Sequence, residues 1–71
     1  MLVLHVTMIE GRTLEQKTQL MRRLSEAAAH HFDMPLDEVR LIIYEVPAAH
    51  WGIGGRSVAE REREKHGVSI L

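Results

Sequence analysis

The sequence predicts a small α/β (α+β) fold, a βαβ unit followed by a C-terminal hairpin, and three observations predict it. Apolar residues alternate from Leu2 to Ile9 and recur from Val39 to Val46, which is how strands read. Between them apolar residues recur at spacings of three and four behind a capping box, the pattern of an amphipathic helix. A glycine-dense segment, Trp51-Gly52-Ile53-Gly54-Gly55, follows the second strand and suits a tight turn.

The first strand runs from Leu2 to Ile9. Leu2, Leu4, Val6 and Met8 fall on one face, and Val3, His5, Thr7 and Ile9 on the other. Glu10-Gly11-Arg12 breaks the run. Thr13-Leu14-Glu15-Gln16 then places a Thr N-cap three residues before a Gln, so a helix is expected from Leu14 to Phe32. Its expected buried stripe is Leu20, Leu24, Ala27, Ala28 and His31. Asp33-Met34-Pro35 ends it, because proline disfavours helical geometry in the residue before it.

In the second strand, Val39, Leu41 and Ile43 share one face and Arg40, Ile42, Tyr44 and Val46 the other. Both faces are mostly apolar, which implies cover on both sides. Strand, long helix, strand makes the two strands parallel with a right-handed crossover. Pro47 to Ala49 is a turn or short helical turn. Residues 56–71 form a charged tail in which acids and bases alternate from Ala59 to Lys65, read as a solvated helical turn or frayed end.

The bulk numbers bound the function. A chain of 71 residues makes a single domain, 1–71. A chain this short buries only about 60% of the surface its unfolded form exposes, and with no cysteine it has no disulfide to compensate. At 45% apolar residues it is too hydrophobic for a disordered segment. Two strands and one helix are not stable alone, so the pattern itself predicts an oligomer. A net charge of −1 gives no basic face for nucleic acid. No apolar run reaches the roughly 20 residues that span a bilayer, and the first residues lack a signal-peptide pattern. The cytoplasm is the expected compartment, with no membrane partner.

Four segments carry a resemblance. Ile9-Glu10-Gly11-Arg12, Glu15-Gln16-Lys17, Pro35-Leu36 with Val39-Arg40-Leu41-Ile42-Ile43, and His50-Trp51-Gly52-Ile53-Gly54-Gly55 together resemble the 4-oxalocrotonate tautomerase family, from Leu2 to about Gly55. The resemblance implies a hexamer built as a trimer of dimers, an active site shared between subunits, no cofactor and no metal. It implies keto–enol proton transfer, in which an N-terminal proline amine is the base and arginines bind the carboxylate and carbonyl oxygens. Carried over by residue, Arg12 matches the arginine for the distal carboxylate. Arg40 matches the one for the carbonyl and nearer carboxylate, reaching in from another subunit. Trp51 matches the pocket aromatic. The proline position holds Leu2.

That departure bears on the chemistry. A general base must offer a lone pair near the working pH. A free α-amine, with an ordinary pKa of about 7.7–8.0, can do so once nearby cations and an apolar wall lower it; a leucine side chain cannot. Leu2 is large, so Met1 is expected to remain, which sets the free amine one residue out, by about 3.3 Å in an extended strand. Three readings stay open. The site binds a small 2-oxo or dicarboxylate anion without efficient catalysis. Alternatively the Met1 amine, Tyr44 or a bound water serves as base, with weaker or altered activity. Alternatively the chain is a non-catalytic partner in a hetero-oligomer with a proline-bearing paralogue rather than a homo-oligomer. An engineered change at Leu2 would also account for it.

Simpler roles stand beside these. Arg12 would serve as a solvated loop residue, and Arg40 as one half of a structural salt bridge, since a buried unpaired charge is costly. Trp51 would serve as interface core. The glycines at 52, 54 and 55 fit a hairpin rather than a phosphate loop, since no Lys-Ser/Thr follows them. The histidines do not fall at metal-ligand spacing: His30 and His31 are adjacent and point about 100° apart on a helix.

Overall fold

A computed structural model describes residues 1–67. Strand β1 (Leu2–Ile9) is followed by helix α1 (Leu14–Phe32), strand β2 (Val39–Val46), strands β3 (Gly52–Ile53) and β4 (Arg56–Ser57), and helix α2 (Val58–Gly67). Short 3₁₀ turns at Leu36–Glu38 and Ala48–His50 flank β2. The chain packs as two compact units. One holds Met1–Thr7 and Gly11–Tyr44; the other holds Met8–Glu10 and the chain from Glu45 onward.

In the first unit β1 pairs with β2. Burial along β1 alternates with the sequence: Leu2, Leu4 and Val6 are half-buried, while Val3, His5 and Thr7 are exposed. Along β2, Val39 is buried, Leu41 and Ile43 are half-buried, and Arg40, Ile42 and Tyr44 are exposed. The shielded helix residues are Lys17, Leu20, Met21, Ser25, Ala28 and Ala29. The small core therefore lies between α1 and the inward face of the sheet. The buried stripe differs from the expected one: Leu20 and Ala28 belong to both, but Leu24, Ala27 and His31 are exposed. The helix is turned so that Met21 and Ala29 replace them.

The ends of α1 are closed differently. At its start the Thr13 hydroxyl accepts the Gln16 N–H at 3.1 Å, and the Gln16 side-chain oxygen accepts the Thr13 N–H at 3.0 Å. Two of the helix's orphan donors are thereby satisfied. At its end Asp33 takes the left-handed conformation (φ 51°). Its N–H reaches the His30 carbonyl at 3.3 Å, and the Met34 N–H reaches the Ala29 carbonyl at 3.0 Å. This is a Schellman closure with an aspartate where glycine is usual. Pro35 then caps the 3₁₀ turn that leads into β2.

In the second unit the Glu10 N–H bonds the Val46 carbonyl at 3.0 Å. Residues just past one strand and at the end of the other thus meet, as parallel strands require. β3 and β4 pair antiparallel, Gly52 opposite Ser57 and Ile53 opposite Arg56. The residues between them, Gly54 (φ 61°) and Gly55 (φ 86°), both have positive φ, the demand of a type I′ hairpin. The charged tail differs from the expected helical turn. It forms a ten-residue helix, Val58–Gly67. Ser57 supplies the cap, its hydroxyl accepting the Glu60 N–H at 3.1 Å. α2 packs on the 3₁₀ turn Ala48–His50 and on β4, and the Val58 N–H bonds the Trp51 carbonyl at 2.8 Å.

Little of the chain is enclosed. Among the described residues only Ala29 and Val39 are buried, and no side chain is fully shielded. Val3, Ile42 and Tyr44 leave an apolar outer sheet face open to solvent, each above 40% exposed.

Candidate functional site

In the first unit, Arg40 points outward from β2 because the strand alternates and Val39 and Leu41 take the inward positions. Its guanidinium donates to the backbone carbonyl of Asp37 in the preceding 3₁₀ turn. A guanidinium has five N–H donors in a planar fork, so most of its capacity remains for a ligand. Arg40 is exposed; the desolvation argument that called for an acidic partner therefore does not apply within the subunit. The turn Leu36–Glu38 and its Pro35 cap hold the carbonyl that orients it.

Arg12 is also exposed, in the segment that joins β1 to α1. Gly11 precedes it with φ 131°, a conformation side chains rarely adopt, so the turn presenting Arg12 depends on glycine. Thr13 follows as the helix cap. The arginine thus sits between a glycine turn and a capped helix start, both of which fix its backbone.

Met1 and Leu2 line an open crevice of about 220 Å³ with Phe32 and Met34. Leu2 is half-buried there, while Met1 is 82% exposed and Phe32 is 61% exposed. The crevice is mostly apolar, and none of the side chains of Met1, Leu2, Phe32 and Met34 accepts or delivers a proton.

Trp51 belongs to the second unit. It is half-buried at the end of the 3₁₀ turn Ala48–His50, and its carbonyl is engaged by α2. Also in that unit, Arg56 reaches along α2 to two carboxylates, Glu60 at 3.7 Å and Glu64. The hydrogen bond and charge of Arg56 hold the Glu64 carboxyl below its ordinary range, against a smaller opposing effect of desolvation. A second crevice, of about 340 Å³, is lined by Ile53, Val58, Arg61 and Glu62.

The structure adds a pair that the spacing of residues did not single out. His5 stacks on Tyr44 at the outer face of the sheet, ring centroids 5.7 Å apart and planes 11° from parallel. Strand alternation already put His5 with Val3 and Thr7, and Tyr44 with Arg40 and Ile42; pairing of β1 with β2 brings those faces together. Among the described residues no group of three or more His, Asp or Glu side chains converges as a metal site. No described helix is long and apolar enough to cross a membrane.

Known proteins share this architecture. A profile of the family described as tautomerase enzyme matches residues 3–61. A 2-hydroxymuconate tautomerase of Pseudomonas sp. (strain CF600) is 51% identical over 55 residues, covering 78% of this chain and 87% of that protein. A probable tautomerase of Ralstonia nicotianae is 51% identical over 53 residues, covering 75% and 76%. Among solved structures, a chain of the heterohexamer 4-oxalocrotonate tautomerase from Chloroflexus aurantiacus J-10-fl superposes with a TM-score of 0.80. It is 63% identical, and the match covers 84% of this chain and 97% of that one.

Proposed function

The chain belongs to the tautomerase family, and on that premise we propose that it binds a small 2-oxo or dicarboxylate-type anion through Arg12 and Arg40, with Trp51 as the pocket aromatic. Its keto–enol tautomerase activity is absent, weak or altered because Leu2 stands where the family's proline supplies the base. The observation that carries this reading is Arg40, an exposed cation on a largely apolar strand face whose guanidinium donates to the Asp37 backbone carbonyl. Such a fork matches a carboxylate in two-pronged fashion.

The crevice at Met1 and Leu2 supports the second half of the reading. Its lining of Met1, Leu2, Phe32 and Met34 offers apolar contact to a ligand but no side-chain lone pair of the required basicity. The assembly proposed is a hexamer. The uncovered outer face of the sheet calls for neighbours, and the relative from Chloroflexus aurantiacus is a heterohexamer. A cytoplasmic location goes with this reading.

The test is a ketonisation assay on 2-hydroxymuconate and an aryl enol-pyruvate, run on the native protein beside Leu2→Pro, with the N-terminus of each checked by intact mass. Activity confined to Leu2→Pro is the expected result and marks a pocket that lacks its base. Full native activity refutes the role given to Leu2. Binding of 2-oxoglutarate that survives both Arg12→Ala and Arg40→Ala refutes the anion site. Sedimentation of the chain alone tests the assembly; a folded monomer at micromolar concentration defeats it.

A further inference from the structure

Helix α2 runs past the part of the chain that the family shares. The family profile ends at residue 61, whereas α2 continues to Gly67. Its first residue is joined to the turn that carries Trp51. The Val58 N–H donates to the Trp51 carbonyl at 2.8 Å, and the Trp51 N–H donates to the Ala48 carbonyl at 3.4 Å. Both backbone groups of Trp51 are therefore engaged, one by the 3₁₀ turn Ala48–His50 and one by α2. The helix packs on that same turn.

Arg56 sets the direction of α2. It stands on β4 opposite Ile53, just ahead of the helix start at Val58. From there its guanidinium meets Glu60, at 3.7 Å, and Glu64. These two carboxylates are four residues apart and share one helix face, where like charges repel; a shared cation offsets that repulsion. A planar fork on the hairpin thus grips two successive turns of the helix, which a single point charge does less well. Exposed ion pairs add little to stability, so the use of this grip is orientation. Glu64 lies beyond residue 61, and the grip is completed by a residue outside the family profile.

We propose that Arg56 is a positioning residue for Trp51: it holds α2 through Glu60 and Glu64, so that the turn bearing the pocket aromatic is ordered before a ligand arrives. A segment ordered beforehand loses no freedom on binding, and affinity is higher by that amount. The charged helix thereby tunes the affinity of the anion site without Arg56 touching the ligand. This assignment rests on Trp51 as the pocket aromatic of the proposed site.

Trp51 is the one tryptophan of the chain, so tryptophan fluorescence reports on it alone. The test measures acrylamide quenching of that fluorescence, and the Kd of 2-oxoglutarate by calorimetry, in native protein, Arg56→Gln, Glu64→Gln and Glu62→Gln. Arg56→Gln should raise the quenching constant and weaken 2-oxoglutarate binding by about two- to fivefold, the span that an exposed ion pair is worth. Glu64→Gln should act in the same direction but less, because Glu60 still meets Arg56. Glu62→Gln removes the same charge from the same helix at a carboxylate that is not one of the two Arg56 meets, and should leave both readings at native values. Unchanged quenching in Arg56→Gln overturns the proposal, as does an equal rise in Glu62→Gln. Tighter binding in Glu64→Gln also overturns it, since that marks Arg56 as a direct ligand contact freed by the change. Trp51→Ala keeps the two readings apart. Native affinity there removes Trp51 from the pocket, whereas lost affinity there with native affinity in Arg56→Gln removes only the positioning role.

Discussion

The β1–α1–β2 unit and the hairpin–α2 unit are held by different physics. In the first, a 19-residue helix covers one sheet face, its ends are closed by backbone and side-chain caps, and the other face is left apolar and open. In the second, two-residue strands turn on a glycine pair, and a charged helix is tied to the hairpin by exposed ion pairs. The first unit depends on burial, which is long-lasting but incomplete within one copy. The second depends on local geometry and on charges that water and salt screen.

The comparison breaks first at the open sheet face. Ile42→Asp replaces a side chain that is 43% exposed in the subunit. Were that face solvated, the change would fall within about 0.5 kcal/mol, as surface substitutions do. A face covered by neighbours cannot take an unpaired carboxylate. The expected outcome is dissociation to smaller species, read by sedimentation.

Next comes the hairpin. Gly55→Ala forces a side chain into φ 86°, which costs about 1–2 kcal/mol and shows as a lower denaturant midpoint. Thr13→Ala tests the first unit by removing the hydroxyl that accepts the Gln16 N–H. The loss of this cap is worth about 1 kcal/mol, with the denaturant slope unchanged.

The smallest effect belongs to the ion pairs of α2. Glu64 has its carboxyl held below the ordinary value of 4.5 by Arg56. Its contribution to stability is therefore complete above that ordinary value and is lost as pH falls through the lowered one. Native protein should lose a little far-UV helical signal in acid. Glu64→Gln should lack that step, and added salt should mimic it.

How much was legible in the residues also divides along this line. Alternation placed β1 and β2, and Thr13 with Gln16 marked the start of α1, because these are local rules that the fold obeys. The buried stripe of α1 was partly misread. Leu20 and Ala28 fit either of two neighbouring tracks, and the choice between Leu24 and Met21 depends on how the helix sits on the sheet, a tertiary matter. α2 is longer than the helical turn or frayed end that its run of charges suggests, although Ser57-Val58-Ala59-Glu60 carries a capping signature. The anion-binding roles proposed for Arg12 and Arg40 rest on resemblance, since spacing alone treats one as a loop cation and the other as half of a salt bridge. The His5–Tyr44 stack required knowledge of which strands pair.

The scarcity of enclosed side chains, Ala29 and Val39 alone among the described residues, has a consequence beyond geometry. A subunit with so little interior has a small free energy of folding of its own. If it gains the rest by association, mass action governs its survival: folded protein accumulates as concentration rises, and the melting temperature follows. Dilution would then act as a denaturant, and the amount of chain made would become part of what keeps it folded.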